Sequence, residues 1–107
     1  MESETAILFV NEGDRLHGES VVGHVMRVAM AEQLNGATAF RAIEGFGTHL
    51  KLHRDTLLSM SDNEGVAILV VDALEKIERF LSRLAADGLH CSVLRLKGVL
   101  ETLGTTR

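Results

Sequence analysis

The sequence predicts a single α+β domain whose four strands form an antiparallel-mixed sheet with two helices on one face. Three observations carry that expectation. Two continuous apolar runs, Thr5 to Val10 and Gly65 to Val71, have the length and composition of strands pressed between neighbours. Each run is followed by a stretch with apolar residues at helical spacing. Each of those leads into a weaker, more polar strand, so the order over residues 1–107 is β-α-β-β-α-β, the ferredoxin-like arrangement.

The elements follow in chain order. The first strand runs into Asn11-Glu12-Gly13-Asp14, a turn cluster in which Asp14 and Arg15 are expected to shape the bend. Ser20 can cap a helix that buries Val22, Val25, Met26 and Ala29, with Asn35-Gly36 as its stop. A second strand is expected from Thr38 to Glu44. After the second apolar run, Asp72 reads as a helix cap, with Glu75 three residues on. That helix places Ile77, Phe80, Leu81, Leu84 and Ala85 on one side, and Glu75, Lys76, Glu78, Arg79 and Arg83 outside. Glu75 and Arg79 stand at i,i+4 spacing, and Gly88 ends the helix. The last strand, about Ser92 to Lys97, alternates Leu94 and Leu96 against Val93, Arg95 and Lys97. Beyond Gly98, the residues Val99, Leu100 and Leu103 fit either a short helix or a further strand.

In this order the two most apolar strands, the first and third, are expected at the centre and parallel, with the second and fourth at the edges. The second and third then form a hairpin whose tip is the segment from Gly45 to Glu64. Helices on one face leave the other face of the sheet uncovered. With no proline to guard the edges either, a homo-oligomer is the expectation.

Composition narrows the function. A length of 107 residues with 46% apolar content suits one small core. The apolar runs are too short to span a membrane, and the acidic start Met1-Glu2-Ser3-Glu4 does not read as a signal peptide. The lone Cys91 cannot form an internal disulfide, which favours the cytoplasm, and it reads as a small core residue. A formal charge of −4 without a basic run, and no Trp or Tyr, argue against nucleic acid. A small ligand or a protein partner remains.

The 45–64 segment is where chemistry is expected, because a connection of that length costs closure entropy and buries little. It opens with Gly45-Phe46-Gly47 and carries His49, Lys51, His53, Arg54, Asp55 and Asp62. Gly45-Phe46-Gly47 at a strand end resembles the loop base of the PII signal-transduction proteins. The match is closer to an uncharacterised PII-like branch, and it covers most of the chain. It includes Asp14-Arg15, His17-Gly18, Gly36-Ala37-Thr38, His53, Val71-Asp72, Glu75-Lys76-Ile77 and Leu81.

The resemblance implies a trimer with clefts between subunits that bind an adenine nucleotide such as AMP, ADP or ATP. It also implies a ligand-responsive loop that docks on a membrane transporter or an enzyme. Gly45, Phe46, Gly47 and Thr48 would then stand at the loop base, with Gly88 resembling the second nucleotide-binding loop. Arg41, Arg95 and Lys97 could supply positive charge for phosphate. The chain departs from PII proteins in places. Thr48 and His49 replace the basic residue and glutamine that help to hold magnesium and 2-oxoglutarate. Ala86-Asp87-Gly88 leads to Leu89 and His90 rather than a lysine, and no tyrosine is available for modification. These differences argue against 2-oxoglutarate sensing and uridylylation.

A divalent-metal module is the alternative. His49 and His53 stand at i,i+4 spacing, with His17, Asp55 or Asp62 as candidate third ligands. No carboxylate pair, nucleophile–base motif or cofactor fingerprint supports a reaction class, so a non-enzymatic protein is expected.

Overall fold

Strand β1, Glu2–Asn11, alternates between two environments, and that alternation organises the molecule. Ala6, Leu8 and Val10 are buried, while Thr5, Ile7 and Phe9 point to the opposite face and are only partly covered. The computed structural model describes residues 1–45, 53–54 and 64–104; of residues 44–45 and 53–54 the backbone alone is described. The segment 46–52, with Phe46, Gly47, Thr48 and His49, lies outside the described residues, as do Asp55 and Asp62.

Two short strands, β2 (Arg15–Leu16) and β3 (Glu19–Ser20), form a hairpin that the sequence presents only as turn residues. Its two-residue loop, His17-Gly18, has φ of 52° and 83°. Positive φ at both central residues is what a type I′ hairpin turn requires. Upstream, Asp14 closes the preceding bend, its carboxylate accepting from the Asn11 N–H at 3.0 Å.

Helix α1, Val21–Ala31, is capped by Ser20 as expected, the hydroxyl accepting from the Gly23 N–H at 3.2 Å. It buries Val21, His24, Val25, Val28 and Ala29, with Val22 and Met26 packed at the margin. It ends three residues earlier than Asn35-Gly36 would suggest. Leu34 N–H donates to Ala29 O and Gln33 N–H to Met30 O, a Schellman closure with Gln33 at φ 58° in the place usually given to glycine. Strand β4, Ala37–Arg41, follows.

Residues Glu44–Gly45 (β5) and His53–Arg54 (β6) pair as a small ribbon, with Gly45 opposite His53. Strand β7, Gly65–Asp72, then returns along β4. Helix α2, Leu74–Ala86, buries Ile77, Phe80 and Leu84; Ala85, expected inside, is exposed. Its N-cap is Ala73, without a side-chain cap bond. Asp72 therefore does something other than cap. It is buried, its Oδ1 accepts from the Ala73 N–H, and its Oδ2 accepts from the Asn35 N–H at 2.8 Å, tying the α1–β4 connection to the α2 entrance. Arg79 and Arg83 likewise reach Glu32 at the end of α1, at 3.3 and 3.2 Å, so the expected pairing of Arg79 with Glu75 gives way to a bridge between helices.

Strand β8, Ser92–Val99, runs two residues past the expected end. Val99 closes it, and Leu100 exchanges backbone hydrogen bonds with Met1 at 2.9 and 3.0 Å; neither a further helix nor a separate strand forms over residues 100–104.

The sheet order is β4-β7-β1-β8, so the first and third strands of the expected order are central and the others are edges. All three pairings are antiparallel, which corrects the expectation that the central pair is parallel. The reason is geometric. A right-handed helical crossover makes the two strands it joins parallel to each other, and each central strand sits between such a pair. Both helices lie on the face of Leu8, Ile68 and Val70, forming one core with Val25, Phe80 and Ile77. Among the described residues, no helix is long and apolar enough to cross a membrane.

Candidate functional site

Register assigns every sheet residue to a face. Partners directly opposite in an antiparallel pair point the same way. Ile7 is opposite both Leu69 and Leu94, Thr5 is opposite Val71 and Leu96, and Phe40 is opposite Ala67. The face away from the helices is therefore apolar across four strands. Phe40, Leu94 and Leu96 are 54%, 45% and 50% exposed, a contiguous patch of a kind that marks an interaction surface. The leucines of β8 thus point away from the core, and Arg95 between them points toward α2.

Two of the three expected phosphate-binding cations, Arg95 and Arg41, are already engaged. Arg95 Nε donates to Glu4 Oε2 at 2.7 Å, its Nη2 pairs with the same carboxylate, and Nη2 also lies 3.0 Å from Glu78 Oε1. Glu4 is 5% exposed, and a carboxylate that deep needs a counter-charge. On the other edge, Arg41 donates to Glu12 Oε1 at 3.1 and 3.2 Å and approaches Glu64 Oε1 at 3.3 Å. Lys97 lines a hollow of about 270 Å³ with Ser3, Glu4, Leu74 and Glu75, at the end of the sheet away from the 45–64 segment.

Gly88 has a clear local duty. It stands at φ 100° just past α2, where its N–H donates to Ala85 O and the Leu89 N–H donates to Leu84 O, completing a second Schellman closure. The sites do not meet within one chain. Arg41 and the Arg95–Lys97 pair occupy opposite edge strands, three strand spacings or roughly 14 Å apart.

The structure adds a cluster beside Gly88 that sequence reading missed. His24 is 8% exposed, with Nδ1 2.9 Å from Glu19 Oε1 and Nε2 2.8 Å from Asp87 Oδ2. Arg27 grips Glu19 with Nη1 at 2.9 Å and Nη2 at 2.7 Å. That guanidinium, and then the His24 ring, hold the Glu19 carboxyl down at about 2. His17 Nε2 donates to the Asp87 carbonyl at 2.8 Å. The available signal was a lone histidine inside the apolar stripe of α1, between Val21 and Val25, where a buried ring needs partners. Close by, Cys91 packs against the core just ahead of β8, and burial, then the charge of Asp14, push its thiol up, as befits a packing residue.

Among the described residues, no group of three or more His, Cys, Asp or Glu could hold a metal ion. The metal expectation rests on His49, outside those residues, and on His53, whose side chain is not described.

The DUF190 family, described as "Uncharacterized ACR", matches residues 5–94. The chain belongs to the DUF190 family. Two relatives carry the name UPF0166 protein. One, of Aquifex aeolicus (strain VF5), is 29% identical over 92 residues, covering 86% of either chain. The other, of Methanocaldococcus jannaschii, is 34% identical over 77 residues, covering 72% of this chain and 70% of the relative. This DUF190 chain also shares its fold with solved PII-like proteins. A PII-like signaling protein of Thermus thermophilus aligns over 91% of this chain and 85% of its own, with a TM-score of 0.60 and 13% identity. CPII from Thiomonas intermedia K12, solved bound to ADP and bicarbonate, aligns over 91% and 86%, with a TM-score of 0.63 and 12% identity. The fold is PII-like.

Proposed function

We propose that this DUF190 protein is a non-enzymatic, cytoplasmic PII-like regulator. Three chains close their open sheet faces together, an adenine nucleotide binds between neighbours, and the 45–64 segment presents the bound state to a transporter or an enzyme. The apolar face of Phe40, Leu69, Leu94 and Leu96 carries the reading, because it calls for a partner that one chain cannot supply. Two features support the rest. Arg41 and Lys97 stand on opposite edges of the sheet, so a ligand touching residues of both kinds draws on two chains. A protein of the same fold is known bound to ADP.

The glycines at the loop base suit such a ligand, since backbone N–H groups without a Cβ nearby can approach phosphate oxygens. The engaged arginines temper their own role. Arg95 neutralises Glu4, and Arg41 sits between two glutamates, so backbone donors and Lys97 carry more of the phosphate charge than either arginine.

Calorimetric titration with AMP, ADP, ATP and cyclic AMP, with and without magnesium, tests this. We expect saturable binding of one nucleotide per chain, weakened by Gly47→Trp. Absence of heat across the panel, from protein that is folded and associated, would remove the nucleotide reading.

A further inference from the structure

The open face of the sheet changes character along its strands. Toward the 45–64 segment it carries Phe9 and Phe40, both opposite Ala67. At the other end, where Glu2 is opposite Val99, Glu4 opposite Asp72 and Ala37 opposite Val70, bulky side chains run out. Gly36 stands just before β4 and Gly98 near the end of β8, and a Cβ at either would meet nothing within 4 Å. This end holds a hollow of about 320 Å³, lined by Asn35, Gly36, Thr38, Leu69, Val71 and Leu100. None of these residues is charged, so the hollow suits an apolar occupant with a polar rim at Asn35 and Thr38.

The chain also carries an apolar side chain that nothing receives. Leu100 is fixed at the hollow by its backbone bonds to Met1, and three residues on Leu103 is 100% exposed. Leu103 therefore leaves the hollow of its own chain unfilled. A single exposed leucine is ordinary. Here it follows a residue that lines an unfilled apolar hollow, on the face that needs further copies of the chain.

Position and area both favour a second copy as the occupant. The tail leaves from the β8 edge, whereas Gly36 and Thr38 place the far wall of the hollow at the β4 edge, so knob and hole stand on opposite sides of the sheet at the same end. Head-to-tail surfaces of this kind close into a ring, in which the β8 side of each chain meets the β4 side of the next. Four strands of at most eight paired residues give the open face a plan area of roughly 500 Å². Shared between two neighbours, that is about half of the roughly 1,000 Å² in total that a specific interface needs. Contacts beyond the flat face are required, and a fully exposed leucine at its end supplies one.

We propose that the C-terminal tail is a locking arm, with Leu103 of each chain seated in the hollow of Gly36, Thr38, Leu69 and Val71 of the next. The proposal rests on the three-chain reading above and adds to it the residue that fastens neighbours together.

Cross-linking of the full chain tests it, after sedimentation of the wild type has established the assembly. The double variant L103C/T38C, left to oxidise in air, should give covalent dimers and trimers on non-reducing gels, because a seated arm brings the two positions within disulfide reach. L103C alone and T38C alone, which keep Cys91 as the wild type does, should give no more cross-links than the wild type. In a separate arm, L103D should raise the concentration at which the assembly half-dissociates by about tenfold or more, with an unchanged far-UV circular dichroism spectrum. A double variant that stays unlinked, or whose peptide masses show the bond within one chain, would overturn the proposal. So would cross-linking by L103C alone, which would place the tails against each other, or an L103D protein that dissociates as the wild type does. These failures leave the three-chain reading intact. A wild type that sediments as a single chain would remove that reading and the arm together, and it is read before any cysteine is introduced.

Discussion

The two faces of the sheet carry similar apolar loads and meet different surroundings. On one, Leu8, Ile68 and Val70 are wholly buried beneath Phe80, Ile77 and Val25. On the other, Ile7 and Leu69 are half covered, and Leu94, Leu96 and Phe40 are exposed. The first face holds the chain together; the second has the composition of an interior without a second layer. Burial of apolar surface is worth about 25 cal/mol per Å² on either face, so the difference lies in what covers it and not in its chemistry.

Paired substitutions on the two faces would separate folding from association. Phe80→Ala on the covered face should cost about 3–5 kcal/mol, read by urea denaturation. Leu94→Asp on the open face should change single-chain stability by less than about 1 kcal/mol, because that side chain is already 45% exposed. It should nonetheless abolish association by size-exclusion chromatography. Equal losses of stability from both would erase the distinction between the faces.

The covered face is sealed at its ends by polar devices, whose removal should cost less. Asp72→Ala strips the acceptor from the Asn35 and Ala73 N–H groups and should destabilise by about 2 kcal/mol, with urea midpoints as the check. The two Schellman ends sharpen the point. Gly88→Ala places a Cβ at φ 100° without a steric clash, so about 1 kcal/mol of backbone strain is expected. Gln33→Gly at φ 58° relieves the same kind of strain and should stabilise the chain by up to about 1 kcal/mol.

The smallest effect is electrostatic. The Glu19 carboxyl is lowered from its ordinary 4.5 to about 2 by Arg27 and His24. A depressed carboxylate stabilises fully above 4.5, and the contribution is lost as pH falls through about 2. Glu19→Gln should therefore lose less melting temperature than the wild type between those values. Identical acid profiles would remove the contribution.

The parts legible in the sequence were those set by short-range pattern. The runs Thr5–Val10 and Gly65–Val71 became the central strands because continuous apolarity means neighbours on both sides. The helical stripe of Ile77, Phe80 and Leu84 was equally plain. Strand direction was not, since an apolar run carries no sign of whether its neighbour runs with it or against it. Asp72 read as a cap because an aspartate before a helical pattern usually is one, and only the fold revealed that Asn35 lies within its reach. At the site, Gly88 was visible as a helix stop, whereas the His17–Asp87–His24 clamp joins residues 63 and 70 apart and leaves no local pattern. The loop-base residues Phe46 to His49 rest on the sequence alone.

Sedimentation equilibrium of the wild-type protein tests the central claim most directly, because the proposed nucleotide binding between neighbours and the covering of the open face both depend on assembly. A mass three times the 11.7 kDa of one chain, falling to a single chain in Leu94→Asp, is the expected result. A wild-type protein that sediments as one folded chain would contradict the account.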